Sequence, residues 1–256
     1  MPVAISIYNE FSDYMIFRGV KNVDVMQFNP ENIDEDITEE LVIEQFRAIY
    51  AFHEKSLGFN GYLRNRLNNN TGKIIEEYKI HIKNLTRDVN KIKRDGSKNS
   101  FEELILKHGD EVINRGELCI RAAYHSHYIE IIKRSMRRCE ICLGNTDFKN
   151  IQKNKFVEVV SFEDCSYNMV EMDCFLLLNR LKRKGGNLDY KRLVNEFCSI
   201  EGLEDTSSKF IIALISYPHE FMKCCNRYRE GKKQWPQDRF SEKLIKALSQ
   251  DGNSLI

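Results

Sequence analysis

The sequence predicts an α+β fold that is mostly helical, and three observations lead there. Between residues 73 and 93 the apolar side chains Ile75, Tyr78, Ile82, Leu85, Val89 and Ile92 recur at alternating steps of three and four. That spacing marks one face of a helix, while Lys79, Lys83 and Arg87 occupy other faces. Only four prolines interrupt 256 residues, which leaves room for long helices. The β-rich runs are short and few, at 3–8, 14–18, 140–143 and 156–162. A hydrophobic share of 42% with 11% aromatics suits a packed globule rather than a disordered coil.

The elements follow in order. Residues 3–8 (Val-Ala-Ile-Ser-Ile-Tyr) and 14–18 (Tyr-Met-Ile-Phe-Arg) flank a polar turn and read as a β-hairpin. Residues 29–36 form a linker whose closing acids favour a helix start. From Thr38 a helix is expected, with Val42, Phe46, Ile49 and His53 on one face; His53 on that face reads as a core residue rather than a ligand. The seam at 73–93 is the next helix. The run from Asp95 to Ser100 breaks it, and Ser100 is placed to cap the following helix with Glu103 as its capping-box partner. Phe101 to Arg138 reads as one long helix, kinked at Gly109 or Gly116 and packed as a hairpin against the seam. Strands at 140–143 and 156–162 bracket a loop. Helices at 170–184, 189–199, 207–216, 218–230 and 238–250 complete the chain, punctuated by Gly185-Gly186, Gly202 and Pro218.

Several function classes lose support on composition. With 39 basic against 38 acidic residues there is no long-range field to draw nucleic acid or a membrane. The basic clusters at 133–138, 182–184 and 227–233 read as solvated faces and helix C-termini, where cations are favoured anyway. The N-terminus lacks the basic and apolar segments of a signal peptide, and no apolar run approaches the ~18 residues of a membrane span. Eight cysteines in such a chain read as reduced cytoplasmic thiols. Cys139-Glu-Ile-Cys142 has zinc-ligand spacing, with His125 and His127 shortly before it, but a second C-x-x-C is missing. The pair therefore reads as buried or helix-end thiols, and no metal is expected.

The chemistry-bearing stretch is Cys142-Leu-Gly-Asn-Thr-Asp-Phe-Lys-Asn150, followed by the apolar run from Phe156 that ends in Ser161-Phe162-Glu163-Asp164. It is similar to the H-x-D-x-x-x-x-N loop and the D-F-x strand end of the aminoglycoside and choline phosphotransferases, which share a kinase-like fold. In that register Leu143 stands at the His position, Asn145 at the catalytic Asp, and Asn150 keeps the Asn. Ser161 replaces the metal-binding Asp before Phe162. Near the C-terminus, Tyr217-Pro-His-Glu-Phe-Met-Lys223, Asn226-Arg-Tyr228 and Trp235 resemble the closing helices of the spore-coat-protein-S-like branch of that superfamily. Phe52-His53 resembles the family's Phe-His helix end.

The resemblance implies a kinase-like C-terminal lobe over 34–256, with a vestigial β-hairpin and linker at 1–33 in place of a full N-terminal lobe. A full small lobe carries a Gly-rich loop, a strand Lys and a helix Glu, and no G-x-G-x-x-G or V-A-I-K-like segment occurs in 1–33. It also gives Asp173 a structural job, accepting hydrogen bonds from the loop backbone, with Phe162 and Trp235 as further structural residues.

Phosphoryl transfer needs a base for the hydroxyl proton and anionic oxygens for magnesium. An Asn amide is no base at physiological pH, and a Ser hydroxyl is a neutral donor where a carboxylate belongs. The expected function is therefore non-catalytic, a pseudokinase; the resemblance to spore coat proteins implies synthesis in the mother-cell cytoplasm and a role in coat assembly. Other coat or kinase-like proteins are its expected partners, with no cofactor. The alternative is a small-molecule phosphotransferase using ATP and Mg²⁺ through relocated acids, for which Asp147, Glu163 and Asp164 are the candidates. On a strand, Glu163 would share a side with Ser161.

Overall fold

Ten helices and six short strands are present among the described residues of the computed structural model, which are 10–24, 37–59, 67–231 and 236–256. In chain order the first are α1 (Phe11–Phe17), β1 (Val20–Asn22), α2 (Glu39–Ser56), β2 (Asn68–Asn69) and α3 (Lys73–Asp95). Next come α4 (Ser100–His125), α5 (Tyr128–Arg138), β3 (Ile141–Cys142), β4 (Ile151–Lys153), β5 (Val157–Val159) and β6 (Ser166–Tyr167). The C-terminal part is helical: α6 (Glu171–Arg183), α7 (Tyr190–Glu201), α8 (Asp205–Ser216), α9 (His219–Glu230) and α10 (Gln237–Asp251). The fold is α+β and predominantly helical, as its periodicity predicts. The chain divides into two compact units, one of residues 1–72, 129–178 and 188–211, the other of 73–128, 179–187 and 212–256.

The first unit holds both small sheets. One has the order β1-β5-β4, with Val20 opposite Val157 in parallel and Ile151 opposite Val159 in antiparallel pairing. The other has the order β2-β6-β3, and Cys142 lies opposite Ser166. The expected strands at 140–143 and 156–162 are β3 and β5, each shortened, whereas β4 and β6 are too brief to leave a period-2 signature.

The hairpin expected at the N-terminus is corrected in its second arm. Residues 3–8 lie outside the described residues, but 14–18 are not a strand: they belong to helix α1. Its Phe11, Tyr14 and Met15 are buried at the i, i+3, i+4 spacing of a helical face. The Phe11 ring meets Phe52 and Phe59 edge-on at 6.3 and 5.0 Å, and the Tyr14 hydroxyl donates to the Leu57 carbonyl at 2.7 Å. Aromatic burial against residues some forty positions away outweighs the β preference of Tyr-Met-Ile-Phe. The β element of this region is β1, and it pairs with a strand far along the chain rather than with a neighbour. In α2 the expected face is buried, Thr38 caps the helix by accepting from the Leu41 N–H, and Phe46 packs edge-on against Phe197 of α7.

The second unit is built on the α3–α4 hairpin. All six seam residues of α3 are buried. The two helices run antiparallel, with Gly109 against Val89 and Gly116 against Ile82. A Cβ at Gly109 would stand 2.6 Å from the Val89 Cγ2, so these glycines allow close approach within a helix that runs unbroken through both. The long helix expected over 101–138 is instead two, broken at Ser126–His127. The Ser126 hydroxyl donates back to the Ala122 carbonyl at 2.8 Å, and His127 adopts φ +54°, which ends a right-handed helix. The N-cap of α4 is Asn99, not Ser100: its side chain accepts from the Glu102 N–H at 3.0 Å while Glu102 accepts from the Lys98 N–H. Tyr78 and Tyr217 stack at 3.6 Å, and Asp251 caps α9 by accepting from the Glu220 and Phe221 N–H groups, both at 2.9 Å. Among the described residues no helix is long and apolar enough to cross a membrane.

Candidate functional site

Every residue of the loop and its supports belongs to the first unit. The loop leaves β3 at Leu143 and enters β4 at Ile151. Its entry is held by Asp173 in the first turn of α6, whose buried carboxylate accepts from the Leu143 N–H at 2.7 Å and the Gly144 N–H at 2.9 Å. Gly144 has φ +76°, and an added Cβ would fall 2.4 Å from the Asp164 carbonyl oxygen, so only glycine lets the loop lie against the end of the β5 segment. From α2, the buried Gln45 amide donates to the carbonyls of Thr146 and Ile151 at 3.1 and 3.3 Å.

Asn150 ties the loop to the Ser161 strand end. Its side-chain N–H groups donate to the carbonyls of Asn145 at 2.8 Å and Ser161 at 3.3 Å, and its side-chain oxygen accepts from the Ser161 N–H at 2.9 Å. The structure thus brings together Asn145, Asn150 and Ser161, with Leu143 buried at the loop entrance. The Asn145 side chain accepts from the Asp147 N–H at 3.3 Å, and the Ser161 hydroxyl accepts from the Glu163 N–H at 3.2 Å. Of the candidate replacement acids, Asp147 accepts from the Lys149 N–H at 2.8 Å, closing a local turn, and Glu163 and Asp164 are exposed. Phe162 packs edge-on against Phe11 at 6.0 Å, joining the aromatic cluster of α1 and α2. Trp235 lies outside the described residues.

Asn145, Asn150 and Ser161 offer no anionic oxygen to a magnesium nucleotide. The Asn150 oxygen that would face a metal is engaged by a backbone N–H, and the oxygens of Asn145 and Ser161 are neutral. The other convergence of ligand-type atoms is His53, Cys142 and Asp173, all buried, with atoms within 4.8 Å of one another. It does not fit a metal either. His53 uses both ring nitrogens, Nε2 to Asp173 at 2.9 Å and Nδ1 to Glu201 at 2.6 Å, and the Cys142 thiol donates to the Met169 carbonyl at 2.9 Å. Burial pushes that thiol well above its ordinary pKa, so it stays protonated. Cys139, its partner in the zinc-like spacing, is exposed at φ +50°.

Sequence reasoning misses the ionic architecture beneath the loop. His53 is the centre of one part. Burial disfavours its charge, but the Glu201 and Asp173 carboxylates outweigh that and raise its pKa to about 10, so it is an imidazolium donating to both. Arg134 is the centre of another. It forks to Glu140 at 3.0 and 3.1 Å and to Glu171 at 2.7 and 2.8 Å, and the Ser207 hydroxyl donates to Glu171 at 2.5 Å. Both carboxylates are fully buried. Arg134, in the second turn of α5, sits in a run that reads as a solvated basic face.

No protein-family profile matches the chain, and no curated protein matches it. Among solved structures, an aminoglycoside phosphotransferase from Alicyclobacillus acidocaldarius has a similar fold, with a TM-score of 0.69 at 12% identity over 94% of this chain and 78% of that one. That likeness is one of fold: α+β, helix-rich and kinase-like.

Proposed function

We propose that this chain is a non-catalytic protein on the kinase-like phosphotransferase fold, a pseudokinase that acts by binding other proteins. The observation that carries the reading is Asn150, whose whole side-chain amide is consumed in fastening Asn145 to Ser161. At the position of a metal ligand it serves as a backbone staple, and the two neighbouring positions that need carboxylates carry an amide and a hydroxyl. Asp173, by contrast, holds the loop backbone. A scaffold kept while its charged groups are absent supports a role in recognition. The resemblance of Tyr217–Tyr228 to the spore-coat-protein-S-like branch narrows the partner to coat or kinase-like proteins, and the site of action to the mother cell and coat. No nucleotide or metal is part of the reading.

Thermal denaturation with millimolar ATP, in excess magnesium and in a chelator, tests it. The expected outcome is no magnesium-dependent stabilisation. A bound nucleotide at a hundred times its dissociation constant would add ~2.7 kcal/mol. A shift of that size that needs magnesium and disappears in the variant Glu163→Gln/Asp164→Asn would replace this reading with a phosphotransferase working through relocated acids.

A further inference from the structure

We propose that α9 and α10 form a binding groove for a compact polyanion, a ligand carrying two or three adjacent phosphate groups. The groove is made only of second-unit residues and does not depend on the reading of the loop. It has a volume of about 220 Å³ and is lined by Lys223 and Arg227 of α9 and by Arg239, Lys243 and Lys246 of α10. Among the described lining residues Glu220 is the one carboxylate, beside five cationic side chains.

The cations are in register within each helix. Lys223 and Arg227 are one turn apart, and Arg239, Lys243 and Lys246 follow at steps of four and three on one face, a row about 10 Å long. The two rows converge. The Cys224 thiol on the groove floor lies 3.9 Å from the Phe240 carbonyl of α10. Burial raises that thiol to about 11, while Arg227 from one helix and Lys243 from the other pull it down. Glu220 does little to neutralise the rows, because Arg183 holds its carboxylate at 3.1 Å and Lys223 reaches it only at 3.9 Å. In a chain of net charge +1 this is a strong local excess. Like charges at i, i+4 on a helix repel, and an anion bound between the rows would relieve that repulsion.

The dimensions and lining choose among anions. A row of about 10 Å is short for a single-stranded nucleic acid, whose sites take at least about 4 nucleotides, and no aromatic ring is among the described residues that line the groove. Adjacent phosphates place several charges and many acceptor oxygens in a small volume, which suits a mixture of Arg forks and Lys point charges. The sequence conceals this, since Asp238 and Glu242 are interspersed among the α10 cations.

Isothermal titration of the full chain with tripolyphosphate and with orthophosphate, at 100 mM salt, tests the proposal. Tripolyphosphate is expected to bind at least about tenfold more tightly than orthophosphate. Arg227→Gln/Lys243→Gln is expected to weaken it at least about tenfold, and Lys83→Gln/Arg87→Gln, the same charge loss on α3, by less than about twofold. All four positions are exposed, and circular dichroism verifies that the variants fold. Equal weakening by the two double variants, undetectable tripolyphosphate binding, or tighter binding of an oligothymidylate or a poly-Glu peptide each overturns the proposal.

Discussion

Asp173 joins the loop entrance to α2 and α6 through one buried carboxylate. Three donors converge on its buried carboxylate: the N–H groups of Leu143 and Gly144 and the His53 imidazolium. The N–H groups at a loop entrance have no helix or sheet partner, and leaving them unpaired in the interior would be costly. Asn at this position keeps one oxygen but turns an NH₂ toward donors and strips the imidazolium of a counter-charge. Asp173→Asn is expected to lower unfolding stability by about 3–5 kcal/mol, read as a shift in the urea midpoint. At this scale the loop was legible in sequence, because the positions 143, 145, 150 and 161 form a nearly local pattern. The His53 pairing was not. Its carboxylates stand 120 and 148 positions away, and nothing in the helical periodicity of α2 distinguishes a buried histidine with two acids from one with none.

At the level of elements, periodicity over many residues predicted well and short runs did not. The seam of α3 and the C-terminal helices match their expected positions within a few residues, since each spreads its signal over several turns. In α1 seven residues give only two turns, and the aromatic and β-branched letters there point to a strand when packing makes them a helix. Gly109 and Gly116 read in sequence as weak points of a long helix and turn out to be its points of contact. Gly109→Ala improves helix propensity by up to about 1 kcal/mol but drives a methyl into Val89, and overpacking of this kind costs about 1–3 kcal/mol. The variant is expected to be destabilised by about 1–2 kcal/mol in urea melts, and Gly109→Ala/Val89→Ala to recover part of that loss by removing the obstructing methyls.

For the whole molecule, the pH dependence of stability should carry the mark of His53. Its pKa is about 10 when folded and about 6.5 when unfolded, so the folded state holds the proton more tightly. Its contribution is therefore complete below about pH 6.5 and is lost as pH rises toward 10. Lys182, whose pKa burial lowers to about 8, acts in the opposite sense over part of that range. The stability difference between the wild-type chain and His53→Gln isolates the histidine, and it is expected to shrink steadily from pH 6.5 to 10 in denaturant melts. Sequence alone determined the helical class, the long α3 face and the absence of carboxylates at Asn145 and Ser161, because periodicity and residue chemistry are local properties of the chain. Tertiary structure alone decided that α1 is a helix, that His53 and Arg134 sit between buried acids, and that the cations of α9 and α10 share a groove. Each of these depends on which distant residue supplies the opposing charge or surface, and a one-dimensional pattern does not encode that distance.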